Sequence, residues 1–234
     1  MYIQLMGAPG SGKSTLITEL KKECAKKKIH LRVLNEDMSK KPQLTKIHEK
    51  ILLLRPDKAI YRHQRRLITQ CSEIKIEQKE DYRKFYIVDH TPIELVQFFN
   101  GNFAVDGLIT PDQYAELELL ARDAFLARES KLGMRRIFVY MLGNTKETVD
   151  RVKNRNRTGK EHLVINEGRV SRLNQYLIAH KIKHAAHHCV DVHTCNEAFD
   201  VAQAALLIME MCEIQASTYM LRDSDEGSSN NERN

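Results

Sequence analysis

The sequence predicts an α/β fold, a five-stranded parallel sheet with helices on both faces, and three observations carry that reading. Five short, mostly apolar runs recur along the 234 residues, and stretches of helical pattern separate them. The first run leads straight into a glycine-rich turn followed by a helix-forming segment. Strands covered on both faces read as near-continuous apolar runs, and their alternation with helices marks a parallel sheet.

The first strand is Tyr2–Met6. The turn after it, Gly7, Ala8, Pro9, Gly10, Ser11, Gly12, Lys13, Ser14 and Thr15, satisfies G-x-x-x-x-G-K-[ST]. Its glycines let backbone N–H groups converge on phosphate oxygens, and the helix expected over Ser14–Lys27 aims the positive end of its dipole at them. Lys13 supplies a point charge for the outer phosphates, and the Ser14 hydroxyl is a ligand for Mg²⁺. The fold is therefore expected to be a P-loop NTPase, with ATP and Mg²⁺ as cofactors.

The second strand, His30–Asn35, ends at Glu36 and Asp37, carboxylates close to the γ-phosphate position. Helices over Gln43–Leu54 and Ile60–Ile76 lead to the third strand, Phe85–Asp89. Its last residue, Asp89, stands where such enzymes keep a Mg²⁺-associated acid. Helices over Pro92–Phe99 and Pro111–Glu129 precede the fourth strand, Ile137–Leu142. A helix over Thr145–Lys153 then runs into "RVKNRNRTGKE", which sets Arg151, Arg155 and Arg157 at spacings of four and two. On the ligand side of the sheet this segment reads as an arginine-rich lid over about residues 151–168, closing on a transferred phosphate. A helix over Val170–His180 and the fifth strand, Val190–His193, complete the pattern. One domain is expected over residues 1–221, and the final "RDSDEGSSNNERN" (222–234), without an apolar residue, as a disordered tail.

The formal charge of +6 raises nucleic acid as a partner. Lys21, Lys22 and the run Lys26 to Lys28 read instead as a solvated helix face, and no nucleic-acid partner is expected. Five cysteines scatter without metal-ligand spacing, so reduced thiols are expected. "HAAHHC" (His184 to Cys189) lacks a partner cluster and reads as surface or loop histidines. No apolar stretch approaches membrane-spanning length, which predicts a soluble cytoplasmic protein. The Asn-Lys-x-Asp motif of a GTP switch is absent.

Beyond the phosphate loop, "AIYRHQRRLITQCSE", "VDHTPIELVQFF" and "RVKNRNRTGKE" together resemble the deoxynucleoside kinase family, the thymidine, deoxycytidine and deoxyguanosine kinases and their viral relatives. The resemblance covers most of residues 1 to 180. It implies phosphorylation of a deoxynucleoside 5′-hydroxyl, in a protein that dimerises through helices flanking the active site. Gln64 falls on the family's base-reading glutamine, and Phe99 on the aromatic that stacks on the base. Asp89 and His90 fall on the strand-end pair, with His90 where the family usually has Arg. Glu36 falls on the carboxylate that takes the hydroxyl proton. Arg151, Arg155 and Arg157 fall on the lid arginines, with Glu161 as the companion carboxylate. The tyrosine that contacts the sugar would fall near Leu53 or Leu54, where no hydroxyl exists. Cys71 and Leu95 replace the charged pair of cytosine- and purine-selective relatives, which favours thymidine or another pyrimidine. A thymidylate-type monophosphate kinase, using Arg62, Arg65 and Arg66, and a nucleotide-binding regulatory protein that has lost catalysis are the alternatives.

Overall fold

The structure, a computed structural model, describes residues 2–34, 55–73, 84–89, 91–132, 136–154, 165–185, 188–193 and 200–214. Five strands, β1 (Tyr2–Gly7), β2 (His30–Val33), β3 (Lys84–Asp89), β4 (Arg136–Leu142) and β5 (His188–His193), form one sheet in the order β2-β3-β1-β4-β5. Every pairing is parallel. The chain leaves β1 toward one side for β2 and β3 and returns to the other for β4 and β5. That reversal opens a crevice at the carboxyl ends of the central strands, where ligands collect in such sheets.

The helices are α1 (Lys13–Lys26), α2 (Pro56–Glu73), α3 (Pro92–Glu94), α4 (Gly101–Val105), α5 (Pro111–Leu132), α6 (Thr145–Asn154) and α7 (Glu167–Lys183), with α8 over residues 201–214. Pleating sends alternate residues of β1 to opposite faces. Ile3 and Leu5 pack with Leu16 and Leu20 of α1 and with Ile208 and Met209 of α8. Met6 faces the opposite layer with Phe138 and Tyr140 of β4 and Val170, Leu173 and Leu177 of α7. A further cluster joins α2 and α5 through Ala59, Ile60, Ile68, Cys71, Leu117 and Ala121. These residues take the expected helical spacing on both partners.

Several boundaries differ from the sequence reading. The second strand stops at Val33 rather than Asn35, although the Leu34 N–H still donates to the Ile87 carbonyl at 2.9 Å. The fifth begins at His188, two residues early, in register with Ile137. The helix expected from Val170 begins at Glu167, since Asn166 caps it by accepting from the Arg169 N–H at 2.9 Å. The stretch expected as one helix over Pro92–Phe99 is α3 followed by a π-helical segment, Leu95–Asn100, in which the Gly101 N–H donates to the Val96 carbonyl. The π-segment sends Phe98 to the sheet-side cluster and Leu95 and Val96 to the α2–α5 cluster. The helix expected over Gln43–Leu54 and the tail lie outside the described residues. Helix α8 was not expected at all. His184, read as a surface or loop histidine, is half-buried with its ring stacked on His180 at 4.2 Å between centroids.

Candidate active site

The glycine-rich turn forms a tight loop between β1 and α1. Ser11 N donates to Ala8 O at 3.1 Å, and Thr15 N and Leu16 N both turn back to Gly12 O. Gly10 and Gly12 take φ of 87° and 94°, a region that favours glycine. A Cβ on Gly10 would lie 2.7 Å from the Thr148 carbonyl oxygen and 2.8 Å from Val152 Cγ2, so the loop rests directly on α6. Lys13 Nζ donates to the carbonyls of Gly7 and Ala8. Helix α1 has neither a side-chain cap nor an acidic residue in its first turn. Among the described residues the buried Ser11 hydroxyl oxygen has no hydrogen-bond partner. The loop thus presents a lysine and an uncapped helix N-terminus, a cradle whose chemistry fits a phosphate. Ser14 and Thr15 are exposed at its rim, which leaves the Ser14 hydroxyl accessible to a metal ion.

Beside the loop, the β1–β3 ladder sets Asp89 opposite Leu5, two residues before Gly7. Arg151 lies in the last turns of α6, where its Nη2 donates to Glu147 Oε2 at 3.2 Å. This helix is the one that Gly10 touches through Thr148 and Val152, so the loop and Arg151 share a support. Glu36, His90, Arg155, Arg157 and Glu161 lie outside the described residues.

On α2, Gln64 is 6% exposed on the face that carries Ile60, Ile68 and Cys71. Among the described residues its Oε1 has no hydrogen-bond partner. Leeway for an unpaired buried carbonyl is small, because it costs about 1–3 kcal/mol. Leu95 and Val96 belong to the same cluster, and Phe99 packs against it. The Phe99 ring stands edge-on to Phe98 at 4.7 Å. Cys71, Leu95 and Phe99 thus meet in one apolar cluster, and Gln64 lies on the α2 face turned toward it.

Two polar groups escaped that reading. Glu94, 3% exposed, closes a capping box on Thr91, a pairing written in the sequence as "TPIE". Asn100, fully buried in the π-helical segment, has no partner for either side-chain amide atom among the described residues, and no local pattern announces it. Behind them, burial pushes His180 down to about 4, with His184 and Lys183 adding to the shift. Burial also pushes Tyr140 and Tyr176 upward, so both hydroxyls stay protonated. Among the described residues no group of His, Cys, Asp and Glu could hold a metal ion, and no helix is long and apolar enough to cross a membrane.

Comparison with known proteins agrees with this geometry. No curated protein sequence matches the chain. Solved structures of deoxyadenosine kinase from M. mycoides superpose on it. The form with products dCMP and dCDP has a TM-score of 0.63 at 21% identity, covering 91% of this chain and 98% of that one. The form with dCTP has a TM-score of 0.64 at 21% identity, covering 91% and 99%. The form with dATP has a TM-score of 0.63 at 22% identity, covering 91% and 100%. At these identities the likeness establishes the fold. The sequence model described as "Deoxynucleoside kinase" matches residues 3–206, from the first strand through the phosphate loop and into α8. With that span added to the loop and the parallel sheet, the chain belongs to the deoxynucleoside kinase family and is a phosphotransferase that uses a nucleotide phosphate donor.

Proposed function

We propose that the protein transfers the γ-phosphate of ATP to the 5′-hydroxyl of a deoxynucleoside, with thymidine or another pyrimidine preferred. The observation that carries the acceptor reading is Gln64, buried with an unpartnered carbonyl beside the apolar Cys71 and Leu95. A side-chain amide offers both a donor and an acceptor to a base edge. Apolar neighbours suit a thymine methyl and leave no charge to favour the amino groups of cytosine or adenine. Phe99 would cover the base face. The M. mycoides enzyme was solved with dCMP, dCTP and dATP, so cytosine and adenine nucleosides are the competing acceptors to test.

The chemistry assigned to the chain is the formation of one O–P bond and the breaking of another. Glu36 would take the 5′-hydroxyl proton as that oxygen bonds the γ-phosphorus, and ADP would leave with the electrons of the broken bond. Lys13 would engage the outer phosphates, and Arg151, Arg155 and Arg157 would offset the charge spreading over the transferred group. Ser14 and Asp89 would hold Mg²⁺, which supplies charge neutralisation at the phosphates when bound. His90 and Glu161 would contact the acceptor. One kinase domain over residues 1–221 would carry all of this, with the lid at about 151–168. A homodimer is proposed as well, since Leu119 and Leu126, seven residues apart on α5, are each 62% exposed.

The test is ADP production from Mg-ATP with the four deoxynucleosides, their ribose counterparts and thymidine monophosphate. Turnover with thymidine above the other acceptors is expected. Preference for a purine deoxynucleoside would overturn the base assignment, and turnover with the monophosphate alone would overturn the acceptor. Light scattering checks the dimer.

A further inference from the structure

Glu94 lies five residues beyond Asp89 and reaches farther than a helix cap requires. Its Oε2 accepts from the Thr91 N–H at 2.9 Å, and its own N–H returns to Thr91 Oγ1 at 3.3 Å. These two bonds form the capping box at the start of α3. Its other oxygen is used outside that turn. Gln4 Nε2, on β1, donates to Glu94 Oε1. His180 Nε2, on α7, lies 3.6 Å from the same oxygen, and His180 Nδ1 meets the Tyr140 hydroxyl of β4 at 2.9 Å. Glu94 and Thr91 are 3% and 2% exposed, and Gln4 is 1% exposed. A buried carboxyl group is costly unless its oxygens are hydrogen-bonded, and here both are.

We propose that Glu94 is a positioning residue for phosphoryl transfer. It fixes Thr91, two residues past the strand-end Asp89, relative to the strand that feeds the phosphate loop, and through Thr91 it restrains Asp89. The ladder holds Asp89 from one side, opposite Leu5. Glu94 holds Thr91 from the other and anchors it to Gln4, three residues before Gly7. Distance between the strand-end acid and the loop is thereby set by hydrogen bonds rather than by apolar packing, which tolerates sliding. Glu94 acts through Asp89, in contact with neither substrate nor nucleotide. The inference rests on the reading of Asp89 as the Mg²⁺-associated acid, so the experiment tests the two separately.

Glu94→Ala, Glu94→Gln, Gln4→Leu and Asp89→Asn are compared with the wild-type chain in steady-state kinetics with Mg-ATP and the best deoxynucleoside, with Mg²⁺ titrated and thermal unfolding recorded. Glu94→Ala is expected to lower kcat by roughly tenfold or more, as small misplacements of catalytic groups do. It should also raise the Mg²⁺ concentration for half-maximal rate several-fold, while the nucleoside KM stays within about twofold. Glu94→Gln should recover most of kcat: its amide oxygen still accepts from Thr91, and a turn of the Gln4 amide restores the second bond. Gln4→Leu, which keeps the capping box, should fall between. A role in stability alone would lower the unfolding temperature of these variants yet leave kcat and Mg²⁺ dependence at wild-type values well below it, and that result overturns the proposal. Should Glu94→Ala not fold, wild-type Mg²⁺ dependence and kcat in folded Gln4→Leu overturn it equally. If Asp89→Asn leaves the Mg²⁺ requirement unchanged, the metal reading of Asp89 falls, whereas a shift in Asp89→Asn without one in the Glu94 and Gln4 variants overturns the positioning role.

Discussion

At Lys13 the ammonium group already rests on carbonyl oxygens, those of Gly7 and Ala8, so an incoming phosphate exchanges partners with the loop instead of meeting a bare charge. Lys13→Ala should leave the fold intact and abolish most of the thermal stabilisation by Mg-ATP. In the wild type that stabilisation amounts to roughly 2.7 kcal/mol at a hundredfold excess over Kd. An undiminished shift in the variant would refute the phosphate role. Gln64 poses the opposite balance. Its buried Oε1 lacks a partner among the described residues, a cost of about 1–3 kcal/mol that a base edge would relieve. Gln64→Leu should therefore unfold at the same or a higher temperature than wild type, while the nucleoside KM rises by roughly 10- to 100-fold. A residue kept for packing would show the reverse, lower stability with unchanged KM, and paired melting and kinetic curves distinguish the two.

Among the elements, the phosphate loop and α6 act as one support, because Gly10 touches Thr148 and Val152 across the gap. Gly10→Ala brings both a strained φ of 87° and a backbone clash with Thr148 O. Gly107→Ala is its control: φ is 67°, yet nothing lies within 4 Å of the added carbon. Backbone strain costs about 1–3 kcal/mol at either site. Only Gly10→Ala should also weaken Mg-ATP binding, measured by nucleotide titration, since only there does the loop have to move. The loop itself was legible in the sequence because its contacts are local and its glycines are demanded by φ. Helix α8 was not, although Ala205, Ile208, Met209 and Cys212 recur at helical spacing in the core. Leu206 and Leu207, nearly half exposed, blur the apolar stripe that would have marked it. The π-helical segment has no composition of its own. Its residues suit an α-helix equally, and only the competing demands of two clusters on Phe98 and Val96 decide its register.

For the whole molecule, the sheet was readable because strands covered on both faces are apolar throughout, whereas the order β2-β3-β1-β4-β5 depends on which helix covers which face and is written in no single run. The same division applies to the polar groups. Gln64 and Phe99 sit in short patterns, while the contact of Gln4 with Glu94 joins positions 90 residues apart and needs the folded chain to be seen. The layer between the sheet and α7 adds a property that belongs to the fold as a unit. His180 is packed among Phe138, Tyr140, Tyr176 and His184, with the Glu94 carboxyl group 3.6 Å away and Lys183 on its own helix. The carboxyl group favours the protonated ring, but burial, His184 and Lys183 outweigh it and hold the imidazole at about 4 rather than 6.5. Well above pH 6.5 neither the folded nor the unfolded chain protonates this ring, and the fold bears no penalty. As pH falls from there toward 4, the unfolded chain takes up a proton that the folded chain refuses, so stability declines across that window and levels off below it. The full loss is roughly 3 kcal/mol, or about 6–12 °C in Tm. His180→Gln keeps a partner for the Tyr140 hydroxyl and cannot titrate. Its melting temperature should fall less than that of the wild type between pH 6.5 and 4, and parallel pH profiles for the two proteins would place the titrating group elsewhere.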